Sequence, residues 1–142
     1  MSDIVLATDG SSYSLAAAKF ITQGLLTEGA KVHVLHVSPV LPAHVTRFVD
    51  KASIDGWYAE EAARVLDPTT QVLRDAGVPF ESHALVGFAP QQIVEYAKKI
   101  NARMIVMGAQ GRGMLMDAVI GSVAGRVLSL SACPVLLVKS PA

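Results

Sequence analysis

Met104-Ile-Val-Met-Gly108-Ala-Gln-Gly111-Arg112-Gly113, followed after a short apolar linker by Val119-Ile-Gly121-Ser122-Val-Ala-Gly-Arg-Val127, is the stretch on which the chain turns. Met104 to Met107 form an apolar run that stops at glycines, as a buried strand does on leaving a sheet. The missing Cβ atoms at Gly108, Gly111 and Gly113 open space and permit positive φ, so main-chain N–H groups can turn toward a ligand. Gly121-Ser122 then opens a helix with Val123, Val127 and Leu128 at helical spacing. A strand, a glycine loop and a helix N-terminus together form an anion site, because unpaired N–H groups and the positive end of the helix dipole meet there. The pattern suits a phosphate cradle, and it also suits a tight strand-to-helix connection without a ligand. Neither GxxxxGK[ST] nor GxGxxG is present.

The rest of the chain alternates strands and helices. Ile4 to Ala7 is an apolar run ending in the turn and helix-start cluster Thr8-Asp9-Gly10-Ser11-Ser12. Leu15, Ala18, Ile21 or Thr22, and Leu25 mark the buried face of a first helix that closes near Gly29, and Val32 to Val37 reads as a second strand. Residues 39–53 lack periodicity and read as a loop with room for a helical turn. From about Ile54 to Ala76 the spacing of Tyr58, Ala62, Val65, Val72 and Leu73 predicts a long helix that Pro68 should kink or divide. Phe80 to Val86, Met104 to Met107 and Pro134 to Val138 complete five strands, with helices following Gly87-Phe88-Ala89-Pro90 and Gly121. Gly125 lies inside the last helix, where it suggests close packing against a neighbour. This alternation implies one α/β domain over residues 1–142, a parallel sheet covered on both faces, with ligands gathering outside the carboxyl ends of the strands.

Composition narrows the function. Acids and bases number twelve each, so the basic excess of a nucleic-acid binder is missing, and no Lys/Arg cluster suits an anionic membrane surface. Cys133 is alone, which excludes an intrachain disulfide and fits a reducing cytoplasm, with the thiol a small buried hydrophobe. The N-terminal stretch lacks the basic and long apolar regions of a secretion signal, and no apolar run is long enough to span a membrane. His33 and His36 are three apart in a strand and point to opposite faces, so they cannot easily share an ion. Structural or solvated roles are expected for them and for His44 and His83. No nucleophile elbow and no general base to position water are evident, so binding rather than catalysis is expected.

The spacing Gly-x2-Gly-x9-Gly-Ser, met by Gly108, Gly111, Gly121 and Ser122, resembles the nucleotide-binding signature of the universal stress protein family. Ile4-Val-Leu-Ala-Thr-Asp-Gly-Ser11 is similar to that family's opening strand, His36-Val37 to the end of its second, and Cys133-Pro-Val-Leu-Leu-Val138 to its last. The resemblance implies strand order 3-2-1-4-5, a Rossmann-like fold of the adenine nucleotide alpha hydrolase kind, and a stress-response sensor or switch that holds ATP, AMP or ADP. It further implies phosphates held by Gly108, Gly111, Gly121, Ser122 and Val123, ribose by Asp9, and the base walled by Ala7, Val37 and Met107. Arg112, beside Gly113, suits a triphosphate, and Thr8 belongs to the same strand end as Asp9. The bound triphosphate would bring Mg²⁺ or Mn²⁺, with Asp9 and Asp117 the carboxylates at hand. Dimerisation through Val135 to Val138 is also implied.

From the residues alone Asp9 serves equally to cap the first helix, Ser122 to cap its own, and Arg112 to solvate a loop. Two other functions remain open at this point: a slow ATPase or nucleotidyl-transfer enzyme, and a dimeric interaction module with an unused cleft.

Overall fold

The computed structural model of the chain describes residues 2–111 and 120–139. Its elements, in order, are β1 (Ile4–Ala7), α1 (Ser12–Ile21), β2 (Val32–Ser38), α2 (Ala43–Thr46), α3 (Lys51–Asp75), β3 (Phe80–Val86), α4 (Ala89–Lys99), β4 (Met104–Gly108), α5 (Ser122–Leu130) and β5 (Val135–Val138). The strands form a five-stranded parallel sheet in the order β3-β2-β1-β4-β5, as the resemblance implies. Ile4 is level with Val32 on one side and with Met104 on the other, so Ala7 at the end of β1 sits beside Met107, one residue before the end of β4.

Because side chains alternate along a strand, β1 feeds two cores. Ile4 and Leu6, with Val32, Val34 and Val106, meet Ala17, Ala18 and Ile21 of α1 and Ala62, Leu66 and Leu73 of α3. Val5 and Ala7, with Leu35, Ile105 and Met107, meet Ile93 and Ala97 of α4 and Ala124 and Val127 of α5. Each fully buried Val, Leu or Ile contributes roughly 1.5–3 kcal/mol, which is why the central strands carry apolar residues on both faces. Among the described residues, no helix is long and apolar enough to cross a membrane.

Local chemistry explains the helix limits. Ser11 is the N-cap of α1, its side chain accepting the Ser14 N–H at 3.2 Å. At the end of α3, Gly77 takes φ +71° and Val78 N–H reaches back to the Leu73 carbonyl at 2.9 Å. That left-handed position favours glycine and turns the chain toward β3.

The tertiary structure bears on three sequence-based expectations. Residues 51–75 are one continuous helix despite Pro68. Both Pro68 and Arg64, whose carbonyl the ring leaves without its N–H donor, lie on the exposed side of the helix. The buried face of α1 is Ser14, Ala17, Ala18 and Ile21, with Leu15 and Leu25 only half-buried, because small residues let this helix press closely on the sheet. At Gly125, a Cβ would meet only Ile120 Cγ2 at 3.8 Å, an ordinary contact. No close packing among the described residues demands glycine there.

Candidate functional site

Every described residue that the sequence offered as a nucleotide contact is brought to one place. A crevice of about 210 Å³ opens at the carboxyl ends of β1 and β4, the switch point of strand order. Ala7, Val37 and Met107 stand together with Leu35 and Ile93 along its apolar side. Thr8, Asp9, Gly108, Gly111, Gly121, Ser122 and Val123 line the remainder. Arg112 and Gly113, with Asp117, lie outside the described residues.

The glycines act differently from the sequence-based expectation. None of Gly108, Gly111 or Gly121 has positive φ, so the need is for space and not for a left-handed backbone. At Gly108 an added Cβ would stand 2.7 Å from Tyr13 Cβ and 2.8 Å from the Tyr13 backbone carbon. This glycine admits α1 to the sheet. At Gly111 the Cβ would collide with Asp9 Oδ2, so glycine leaves room for a carboxylate arriving from the neighbouring strand. At Gly121 the nearest atoms would be Ala109 O and Gln110 Cα, both at 3.4 Å.

Asp9 is held in place from α1. Its Oδ1 accepts the Ser11 N–H and the Ser14 hydroxyl, each at 2.9 Å, while Oδ2 faces Gly111. The helix cap itself is Ser11, which separates the two roles the sequence left open for Asp9. The Thr8 hydroxyl turns the other way, pairing with the buried Thr69 hydroxyl of α3 at 2.9 Å and accepting the Gly10 N–H at 3.1 Å. Thr8 therefore ties β1 to α3 through its side chain and meets the crevice alongside Asp9.

Across the crevice, Gly121 is the N-cap of α5 and Ser122 the first helical residue, so Ser122 does not cap its helix. No side-chain cap bond closes this N-terminus, and no acidic residue occupies its first turn. Its first N–H groups and the positive end of its dipole border the crevice at Gly121, Ser122, Val123 and Ala124. The Gly121 N–H donates to the Ala109 carbonyl at 2.6 Å, fastening the helix start to the loop after β4.

Sequence reasoning missed Ser14, His36, Ala89, Ile93 and Gln110, which also line the crevice. Gln110 sits inside the glycine signature and was legible from its position. His36 gave no signal beyond its place near a strand end. Its Nδ1 lies 3.3 Å from the Thr8 carbonyl oxygen and its Nε2 3.3 Å from the Ser38 hydroxyl, so it braces β1 against β2. Ala89 and Ile93 reach the crevice only because α4 crosses that end of the sheet.

The sequence profile of the universal stress protein family matches residues 1–139. A universal stress protein of Methanocaldococcus jannaschii is 35% identical, the alignment covering 97% of this chain and 82% of that protein. The solved structure of another protein of that organism superposes with a TM-score of 0.82 at 28% identity, covering 98% of this chain and 96% of the other. The universal stress protein of Archaeoglobus fulgidus in complex with dAMP superposes with a TM-score of 0.72 at 27% identity, covering 98% of both chains. With sheet order, glycine spacing and profile in agreement along its length, this chain belongs to the universal stress protein family.

Proposed function

We propose that the crevice binds an adenine nucleotide and that occupancy sets the state of a stress-response switch. The observation carrying this reading is the uncapped N-terminus of α5 facing, across Gly111, an acid held by α1. One side of the crevice is therefore built for an anionic group and the other for hydroxyl donors. Phosphates meet the main chain at Gly111, Gly121, Ser122 and Val123, the ribose hydroxyls donate to Asp9, and the base lies against Ala7, Val37 and Met107. The A. fulgidus relative with dAMP supports the adenylate class. ATP with Mg²⁺ or Mn²⁺ is the reading for a triphosphate. Asp9 is the single carboxylate among the described lining residues, so the phosphates themselves would supply most of the negative charge around the ion.

Isothermal titration with AMP and ATP is expected to show one saturable site per chain. Asp9→Asn should weaken binding by about tenfold, roughly 1.4 kcal/mol, because the amide replaces an ionised acceptor of ribose hydroxyls. Absence of binding by the unaltered protein would sink the reading, and equal affinity of Asp9→Asn would remove the ribose assignment.

The open edge of β5 supports a dimer in the cytoplasm. Among the described residues β5 pairs only with β4. The carbonyls of Pro134 and Val138 accept from Ile105 and Ala109, so by the two-residue period those of Val135 and Leu137 point away from the sheet. A second β5 can add there about a two-fold axis. Sedimentation velocity should give a dimer for the unaltered chain and a monomer for Leu137→Pro, which removes an outward N–H while leaving the ladder to β4 intact. A monomeric unaltered chain at tens of micromolar would rule this interface out.

A further inference from the structure

Near the opposite end of the sheet from the crevice, parallel pairing places His33 of β2 level with Glu81 of β3. His83, two residues further along β3, shares that face. The His33 and His83 rings lie nearly parallel, with centroids 6.0 Å apart and planes inclined by 11°. Tyr96 of α4 packs beside both rings.

The hydrogen bonds around His33 select its tautomer. Nε2 lies 2.8 Å from Asp3 Oδ2, and an ionised carboxylate only accepts, so Nε2 carries the proton. Asp3 Oδ1 is occupied by the Lys31 N–H at 3.1 Å, which fixes the carboxylate's orientation. Nδ1 then presents its lone pair toward the Tyr96 hydroxyl at 2.9 Å and toward Glu81 Oε1 at 3.6 Å. His83 Nε2 is 2.9 Å from the same Glu81 oxygen. One donor atom from each of His33, Glu81 and His83 lies within 4.8 Å of the other two.

From these positions we infer that His33, Glu81 and His83 form a binding site for a divalent transition ion of the zinc class, with Asp3 orienting His33 from behind. Donors on a tetrahedral zinc ion stand about 3.3 Å apart for metal–ligand distances near 2.0–2.2 Å. The two separations from Glu81 Oε1, 2.9 and 3.6 Å, bracket that value, and the two imidazole donors lie within 4.8 Å of each other. Small rotations of the side chains of Glu81 and His83, 40% and 32% exposed, with the Tyr96 hydroxyl giving up the Nδ1 lone pair, close the set around an ion, while the buried His33 stays where Asp3 holds it. Water completes the fourth position from the solvent side. Two imidazoles with one carboxylate suit zinc-like ions better than Mg²⁺ or Ca²⁺, which take oxygen donors. The Asp3–His33 pair supplies the carboxylate–histidine relay usual behind such ligands.

Both carboxylates are held ionised. Hydrogen bonding from Lys31 and then from His83 lowers the Glu81 pKa, and hydrogen bonding to His33 lowers that of Asp3. Lys31 pairs with Glu81 Oε2, leaving Oε1 to face the histidines. The ammonium also opposes a second positive charge, so zinc binding is expected to be reversible and removable by chelator. This site does not depend on the nucleotide reading, since none of its residues lines the crevice.

Titration calorimetry of the full chain with ZnCl₂ tests it, with Cys133→Ser and His44→Ala as controls for other zinc donors. The expected result is one ion per chain, retained in both controls, abolished in His83→Ala and weakened about 10- to 100-fold in Asp3→Asn, which keeps every ligand but loses the relay. His83 and Asp3 are partly exposed, so both variants are expected to fold, as far-ultraviolet circular dichroism will check. Loss of binding in Cys133→Ser, retention in His83→Ala, or no saturable binding by the unaltered chain would overturn the assignment and leave a hydrogen-bonded cluster that joins β3 to β2.

Discussion

Gly111→Ala is expected to lower adenine nucleotide affinity by about 10- to 100-fold while the protein stays folded. The added methyl would occupy the place of Asp9 Oδ2, so the carboxylate must turn away from the Ser11 N–H and the Ser14 hydroxyl that hold its other oxygen. Hydrogen bonds to a charged group contribute about 1.5–3 kcal/mol each, and roughly 1.4 kcal/mol corresponds to tenfold in affinity. Turning the acid thus removes the proposed ribose acceptor and disturbs the start of α1 at once. Gly125→Ala is the control, since its methyl meets open space or ordinary contact outside the crevice. Calorimetry on the two variants should separate them by at least tenfold, and indistinguishable affinities would show that the contact between Gly111 and Asp9 has no part in binding.

Gly108→Ala should instead destabilise the whole domain, by about 3 kcal/mol, at the upper end of what overpacking usually costs. The obstacle at 2.7 and 2.8 Å is Tyr13 Cβ and the Tyr13 backbone, and Ser14 N follows at 3.1 Å, so no flexible side-chain end can yield. α1 cannot easily withdraw, because Ala17, Ala18 and Ile21 are packed into the core and Ser11 caps its start. Tyr13→Ala keeps the Cβ and is therefore not expected to rescue the variant. Urea unfolding should show a lower midpoint with unchanged slope. A midpoint corresponding to within about 0.5 kcal/mol of the unaltered protein would contradict the close approach, since surface changes alone stay in that range.

These two glycines show where sequence reading reaches and where it stops. Their spacing located the loop, yet two neighbours in one signature have different tasks: one admits a helix and the other a carboxylate. Nothing local distinguishes them, because the atoms that would collide belong to residues about a hundred positions away in the sequence. The same holds for α1, where Leu15 was favoured as the more hydrophobic residue but Ser14 and Ala17 are buried. Periodicity ranks faces by polarity, whereas a helix lying close to a sheet selects for size. Pro68 was read as kinking or dividing its helix because the lost hydrogen bond is a local fact. Its tolerance depends on the exposed position of that turn.

The apolar strand runs, the turn clusters between them and the glycine spacing were enough to establish an alternating α/β chain, the position of its glycine loop and its family likeness, because each is set by interactions between residues near in sequence. Which side chains share a site is another matter. Asp9 meets Gly111, and His33 meets Glu81 and His83, only through the pairing and register of β1 with β4 and of β2 with β3. Register is decided by burying both faces of the sheet together, so the chemistry that depends on it belongs to the tertiary structure.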